Sequence, residues 1–263
     1  MRNLAGIRDS RDIPPWKLAA AYLELRGVGA LRRHPPPIAR FAGNRVAYAS
    51  YPALVSLFEE IYLRRHYPFR STHAGPLVID CGANIGIATM FFKAVAPDAR
   101  VLAFEPEPTA FRLLEDNIAR NGVNDVKCLS VALAAEEGRA MLRVPQPAHG
   151  GATLRLAEGA GWPETEVATA RLSTYISEPV EFLKLDVEGA EVEIIDELAE
   201  ADALRRIANV AIEHHPTGSD DLPRLLACLA ASGFVYRIAT TNDRFWTEQQ
   251  LLLIHAFRTV APH

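Results

Sequence analysis

The sequence predicts an α/β protein built on a doubly wound sheet of seven core strands, on three observations. From Leu77 onward, short apolar runs alternate with stretches of helical periodicity, the pattern of repeated strand and helix units. The first run leads into a glycine-bearing turn, Asp80-Cys81-Gly82-Ala83-Asn84-Ile85-Gly86. The second, Val101-Leu102-Ala103-Phe104, ends on the acid Glu105. At 263 residues, with 49% hydrophobic and 23% charged side chains, the chain can bury one sizeable core.

Residues 1–75 read as a mostly helical N-terminal cap. A helix is predicted over residues 15–26, and Pro35-Pro36-Pro37 then breaks the chain, because neither a helix interior nor a central strand accepts that run. Leu54, Leu57, Phe58 and Ile61 recur at i, i+3, i+4 and i+7, the stripe of an amphipathic helix that covers the domain after it. Arg64 and Arg65 suit its C-terminal end.

The second domain, residues 76–263, carries the sheet. Its first three strands are read at 77–79, 101–104 and 126–131. Between the last two, Phe111, Leu114 and Ile118 share a helical face and Asn121-Gly122 supplies a left-handed stop, so that helix runs over 108–121. Residues 138–144 form an added strand. Residues 145–170 are read as an inserted mobile loop, because most of that stretch is rich in Gly, Ala and Pro without a period. Strands at 180–185 and 209–212 flank a helix marked by Val192, Ile195 and Leu198. Ser219 N-caps the last helix, with Asp220 and Asp221 in its first turn, Leu222, Leu225, Leu226 and Leu229 at helical spacing, and Gly233 as its stop. Strands at 234–238 and 251–257 close the sheet.

Composition narrows the classes. Cys81, Cys128 and Cys228 are odd in number and lie within apolar patterns, so they read as reduced core thiols and not as a disulfide framework. They lack the close pairing of a zinc site, and no structural metal is signalled. No secretory signal opens the chain and no apolar run reaches the roughly 20 residues of a membrane span, so a soluble, cytoplasmic protein is expected. The net charge of −4 is unevenly spread: residues 1–75 hold 12 Lys/Arg against 5 Asp/Glu, +7, and the remainder 16 against 27, −11. A solvated face packed on an acidic body accounts for the basic front, with steering of an anionic substrate or contact with a membrane surface as the alternatives. The acidic total and the lack of interleaved basic and aromatic residues disfavour nucleic acid.

In an open α/β sheet, ligands bind beyond the carboxyl ends of the strands, and glycines in the first strand-to-helix turn let a cofactor approach the backbone. Gly82 and Gly86 meet that need. Their spacing, Asp80-x-Gly82-x-x-x-Gly86, lacks the Gly-x-Gly-x-x-Gly of a pyrophosphate cradle and opens on an acid. Asp80 repels a diphosphate and favours a ligand that carries a sulfonium and an ammonium group. Glu105, at the tip of the second strand, is placed to accept bonds from both hydroxyls of a ribose.

These residues, together with Asn117 through Gly122 and Phe182-Leu183-Lys184-Leu185-Asp186-Val187-Glu188-Gly189-Ala190-Glu191, resemble the FkbM family of methyltransferases over residues 50–257. The segment Lys184 to Glu191 is the most specific part, since many methyltransferase families share the glycine loop. The resemblance implies the class I, Rossmann-like methyltransferase sheet with an antiparallel last strand. It also implies S-adenosyl-L-methionine as methyl donor and O-methylation as the usual reaction. Glu105 would hold the ribose, Asp80, Gly82, Asn84 and Gly86 would line the methionine end, and Ala83, Pro106 and Ala132 would complete the cofactor site, with adenine recognition mostly apolar and backbone-mediated.

Methyl transfer is an in-line displacement, in which the acceptor must be positioned and a hydroxyl acceptor deprotonated. Base candidates sit at the tips of the fourth and fifth strands: Asp186, and the run Glu213-His214-His215. Histidine titrates near working pH, which favours His214 or His215, with Asp186 orienting the acceptor or the histidine. Without catalysis, the same histidines would bond a loop before Pro216 and Asp186 would cap a helix. Glu188 and Glu191 lie at a helix start, where carboxylates are stabilised whatever the function. With Asp186 and Glu213 they could gather oxygen ligands for a magnesium-like ion, but transfer to an alcohol needs none and no metal is expected.

The function expected is methylation of a hydroxyl on a small molecule, a sugar unit or a natural product, without nucleic acid and without stable membrane insertion. A nicotinamide-dependent oxidoreductase on a similar sheet and a non-catalytic cofactor-binding interaction protein are the alternatives. The acceptor and the oligomeric state are not written in the sequence.

Overall fold

A computed structural model describes residues 8–9, 13–31, 35–71, 73–144, 161–240 and 251–258. The front of the chain runs through β1 (Arg8–Asp9), α1 (Pro15–Leu31), β2 (Ile38–Phe41), β3 (Asn44–Ala47) and α2 (Tyr51–Phe58). A single π-helical turn, Glu59–Leu63, and β4 (Arg70–Ser71), antiparallel to β1, complete it. The helices follow the expected periodicity: Leu18, Ala21 and Leu25 of α1 and Leu54 and Phe58 of α2 are buried. Ser50 caps α2 by accepting from the Ala53 amide at 3.4 Å. The hairpin β2–β3 is an addition to the mostly helical cap. Ala42 and Gly43 both have positive φ, 49° and 86°, the two-residue turn that suits a twisted hairpin.

The body follows as β5 (Leu77–Cys81), α3 (Ile87–Val95), β6 (Arg100–Phe104), α4 (Pro108–Arg120), β7 (Val126–Leu129), β8 (Ala132–Leu133), β9 (Gly138–Arg143), β10 (Glu164–Ala170), β11 (Phe182–Leu185), α5 (Glu191–Glu200), β12 (Asn209–His214), α6 (Asp221–Ala231), β13 (Val235–Thr240) and β14 (Leu252–Phe257). Seven of these strands form the main sheet in the order β13-β14-β12-β11-β5-β6-β7. All its pairings are parallel except those of β14, which runs antiparallel to both neighbours.

Strand alternation sorts the core into two layers. Val78, Ala103, Phe182 and Ala211 face the cap, α3 and α4. Ile79, Phe104, Leu183, Leu185 and Ile212 face α5 and α6. Phe69 docks the cap on the sheet, fully buried with its ring 5.7 Å from Phe92 and 5.6 Å from Phe182. Burial of a ring of this kind is worth about 1.5–3 kcal/mol, and its edge-to-face neighbours add to that.

Three elements depart from the sequence reading. Residues 126–131, read as one strand, are β7 followed by a break before β8, which joins a second sheet of order β8-β10-β9. Residues 164–170 of the predicted loop are strand β10, whose alternating Thr165, Val167 and Thr169 find partners on β9; residues 145–160 lie outside the described residues. The N-cap of α6 is Asp220, not Ser219, and Asp221 instead accepts from the Thr217 amide at 3.1 Å. Among the described residues no helix is long and apolar enough to cross a membrane.

Candidate active site

A cleft of about 1270 Å3, counted to its open mouth, crosses the carboxyl-end tips of β5, β6, β11 and β12 beneath Leu57, Glu60 and Ile61 of the cap. Of the residues expected to hold a cofactor, Gly82, Ala83, Asn84, Glu105, Pro106 and Ala132 line it, whereas Asp80 and Gly86 do not.

At one end, the turn after β5 is bent through left-handed backbone at Gly82 (φ 77°), Asn84 (φ 48°) and Gly86 (φ 90°). A side chain at Gly82 would not crowd a ligand first: its Cβ would fall 1.8 Å from the backbone oxygen of Asp186, and at Gly86 it would fall 2.8 Å from Leu114 Cδ1. The glycines thus let the turn nest against β11 and α4. Glu105 is buried at the tip of β6, with Oε2 accepting from the Asn84 amide and Oε1 from the Glu107 amide, both at 2.8 Å. Burial raises its carboxyl to about 7. Helix capping falls to the next acid, Glu107, which accepts from the Thr109 and Ala110 amides. Each Glu105 oxygen thus accepts one backbone N–H among the described residues.

The other end is acidic. Asp80 lies fully buried beneath the cleft, accepting from Thr89 Oγ1 at 2.6 Å and facing Lys184 Nζ at 3.1 Å. The expected pairing of Asp80 with a cationic ligand is therefore taken by Lys184, which stands opposite it in the sheet register. Lys184 also donates to Gly82 O at 2.7 Å and reaches Asp186 Oδ2 at 3.4 Å. Burial works against its charge, but Asp80 and Asp186 outweigh that and raise its pKa. Asp186 lines the cleft, and Tyr67 Oη from the cap bridges Asp186 Oδ2 at 3.0 Å and Glu213 Oε2 at 3.1 Å. Glu60 faces the same space, with burial raising its carboxyl.

The two histidines part company. His214 is buried on the opposite face of β12, away from the cleft, and burial lowers its pKa; among the described residues neither of its ring nitrogens has a bonding partner. His215 has Nδ1 3.0 Å from Glu191 Oε1 and Nε2 3.2 Å from Glu188 Oε2. Burial disfavours its charge, but these carboxylates overcome it and carry the imidazole up to about 10, so it stands as an imidazolium clamp. Glu191 also accepts from the Val187 and Gly189 amides and so closes the loop before α5. Among the described residues, one atom each of Asp186, Glu188 and His215 lies within 4.8 Å of the others.

Sequence reasoning did not single out Tyr67 or Glu60. Tyr67 stands 119 and 146 residues from its two partners, and no local pattern links them. Glu213 was within reach: alternation along β12 puts it on the face of Ala211, toward the cap, and puts His214 on the face of Ile212.

The comparisons with known proteins agree with this architecture. A family model described as the methyltransferase FkbM domain matches residues 80–236. Methyltransferase sdnD of Sordaria araneosa is 29% identical over 237 residues, covering 77% of this chain and 89% of that protein. The 31-O-demethyl-FK506 methyltransferase FkbM of Streptomyces tacrolimicus is 28% identical over 251 residues, covering 82% and 95%. A crystal structure of methyltransferase FkbM from Methylobacillus flagellatus shares the fold, with a TM-score of 0.50 at 16% identity over 90% of this chain and 58% of that one. This protein belongs to the FkbM methyltransferase family and is a methyltransferase.

Proposed function

We propose that the protein transfers the methyl group of S-adenosyl-L-methionine to a hydroxyl of a small molecule. The observation that carries this reading is the two-ended cleft: a buried carboxylate with free lone pairs at the tip of β6, and carboxylates gathered at the tips of β11 and β12. The unpartnered buried Oδ1 of Asn84 at the same end adds a further acceptor for the ligand. Glu105 takes the ribose hydroxyls, Gly82, Ala83 and Asn84 take the amino-acid end, and Pro106 and Ala132 flank the base.

The bound donor supplies an electrophilic methyl group on a sulfonium. The protein's part is to orient the acceptor against it and to take one proton. Asp186, held by Lys184 and Tyr67, is placed to orient the acceptor hydroxyl. His215 acts through Glu188, on the wall of the cleft, and not as the proton acceptor, since it is already protonated. His214 lies outside the cleft lining and takes no part in the step.

Calorimetric titration with S-adenosylmethionine, S-adenosylhomocysteine and NADH tests the donor. The first two are expected to bind and NADH is not. Glu105→Ala should weaken S-adenosylhomocysteine by about 1.5–3 kcal/mol, roughly 10- to 150-fold, the range for hydrogen bonds to a charged group. Tight NADH binding without S-adenosylhomocysteine binding would overturn the reading.

A further inference from the structure

Tyr67 poses a question of proton count. Its single O–H lies within bonding distance of two carboxylate oxygens, Asp186 Oδ2 at 3.0 Å and Glu213 Oε2 at 3.1 Å. One proton serves one of these contacts; the other is attractive only if a carboxyl donates in return. Tyr67 itself stays neutral, since burial and the two acids push its pKa well above the ordinary value. Asp186 Oδ2 already faces the Lys184 ammonium at 3.4 Å, a donor-only group that calls for an accepting oxygen there. That leaves Glu213.

The surroundings of Glu213 agree. Asp186 faces it from the tip of β11, Glu60 from the π-helical turn and Tyr67 from the loop after that turn. His215, along its own chain, is the cation that opposes them, and that imidazole is engaged by Glu188 and Glu191. Burial first, and Asp186 next, push the Glu213 carboxyl up to about 8.

We propose that Glu213 keeps a proton while the cleft is empty, gives it up when a sulfonium donor brings its positive charge into the cleft, and then receives the acceptor's proton. An opposite charge within about 4–6 Å shifts a carboxyl tenfold to a thousandfold toward its ionised form. In the transfer, the acceptor O–H bond breaks toward a Glu213 oxygen and the acceptor oxygen's electron pair forms the new O–C bond. The C–S pair returns to sulfur, leaving a neutral thioether, so atoms and charge balance. Glu213 is then the catalytic base and Tyr67 its positioning residue. This rests on the S-adenosylmethionine reading above, but its test separates the two.

The test is calorimetry of the full chain at pH 7 in buffers of differing ionisation enthalpy. S-adenosylmethionine and S-adenosylhomocysteine differ by the sulfonium charge. The first is expected to release about one proton more than the second. Glu213→Gln should keep S-adenosylhomocysteine affinity within about threefold and abolish the difference. Tyr67→Phe should preserve the difference but shift the pH at which it is largest, because the hydroxyl is bonded to the Glu213 carboxyl at 3.1 Å; a merely structural role would leave that pH in place. Equal release by the two ligands, a difference that survives Glu213→Gln, or an unmoved pH in Tyr67→Phe each overturns the proposal. Failure of the unaltered chain to bind either ligand overturns the donor reading instead.

Discussion

Gly82 shows how one atom decides the geometry of the site. Its backbone sits so close to the Asp186 carbonyl that a Cβ would overlap that oxygen, and its φ of 77° already excludes most side chains. Gly122 has a similar conformation, φ 58°, and among the described residues nothing lies within 4 Å of the missing Cβ. The pair separates conformational cost from contact cost. Gly122→Ala should destabilise by about 1–2 kcal/mol and Gly82→Ala by about 3–5 kcal/mol, read from urea unfolding midpoints at constant slope. Equal losses would show that the meeting of β5 with β11 does not demand the glycine.

At the scale of elements, Asn117 joins three of them. From within α4 and with no exposure, its Oδ1 accepts from the Ala47 amide at 2.7 Å, and its Nδ2 donates to Ala47 O at 3.0 Å and to Ile85 O at 2.9 Å. The hairpin of the cap is thereby tied to the glycine turn that lines one end of the cleft. Asn117→Ala leaves those backbone groups without partners in a dry setting and should cost about 2–5 kcal/mol, with the Ala47 amide losing protection in hydrogen exchange. Retained protection at Ala47 would mean the hairpin holds itself.

The same scale shows what the sequence makes legible. The alternation of apolar strands and helices, the glycine turn and the placement of Glu105 are local, and each reappears in the structure at its residues. The hairpin turn Ala42-Gly43 escaped because Ala in place of Asn or Asp weakens the turn signal. Strand β10 escaped because its alternation follows a long stretch rich in Gly and Ala and has meaning only beside β9. Intrinsic titration favours His214 or His215 in the sequence, whereas the period of β12 decides which side chain at the strand tip meets the cleft.

At the scale of the whole molecule, buried ionisable groups make stability depend on pH. Glu105 and Glu213 stand at about 7 and about 8 against an ordinary 4.5, and His215 at about 10 against 6.5. Each binds its proton more tightly folded than unfolded. Its contribution is complete below the unfolded value and is lost as pH rises through the folded one, between 4.5 and about 8 for the acids and between 6.5 and about 10 for His215. His66, lowered to about 4 by burial, has the opposite sign: its contribution is present above 6.5 and is lost as pH falls toward 4. The thermal midpoint of the unliganded protein should therefore fall steadily from pH 7 to pH 10, and His215→Gln should flatten the upper part of that decline. A midpoint that climbs over this range would contradict the assignment of His215 as a buried imidazolium.

The central pairing of β5 with β11 reaches further than the site. Lys184, which neutralises Asp80 and holds the carbonyls of Cys81 and Gly82, comes about a hundred residues after them in the chain. While the protein is being made on the ribosome, the glycine turn is complete long before its lysine exists. For that interval β5 has β6 on one side and a bare edge on the other, with a carboxylate in the middle of it that no cation yet answers. Synthesis past residue 185 is what turns an open, charged ribbon into the floor of a cleft.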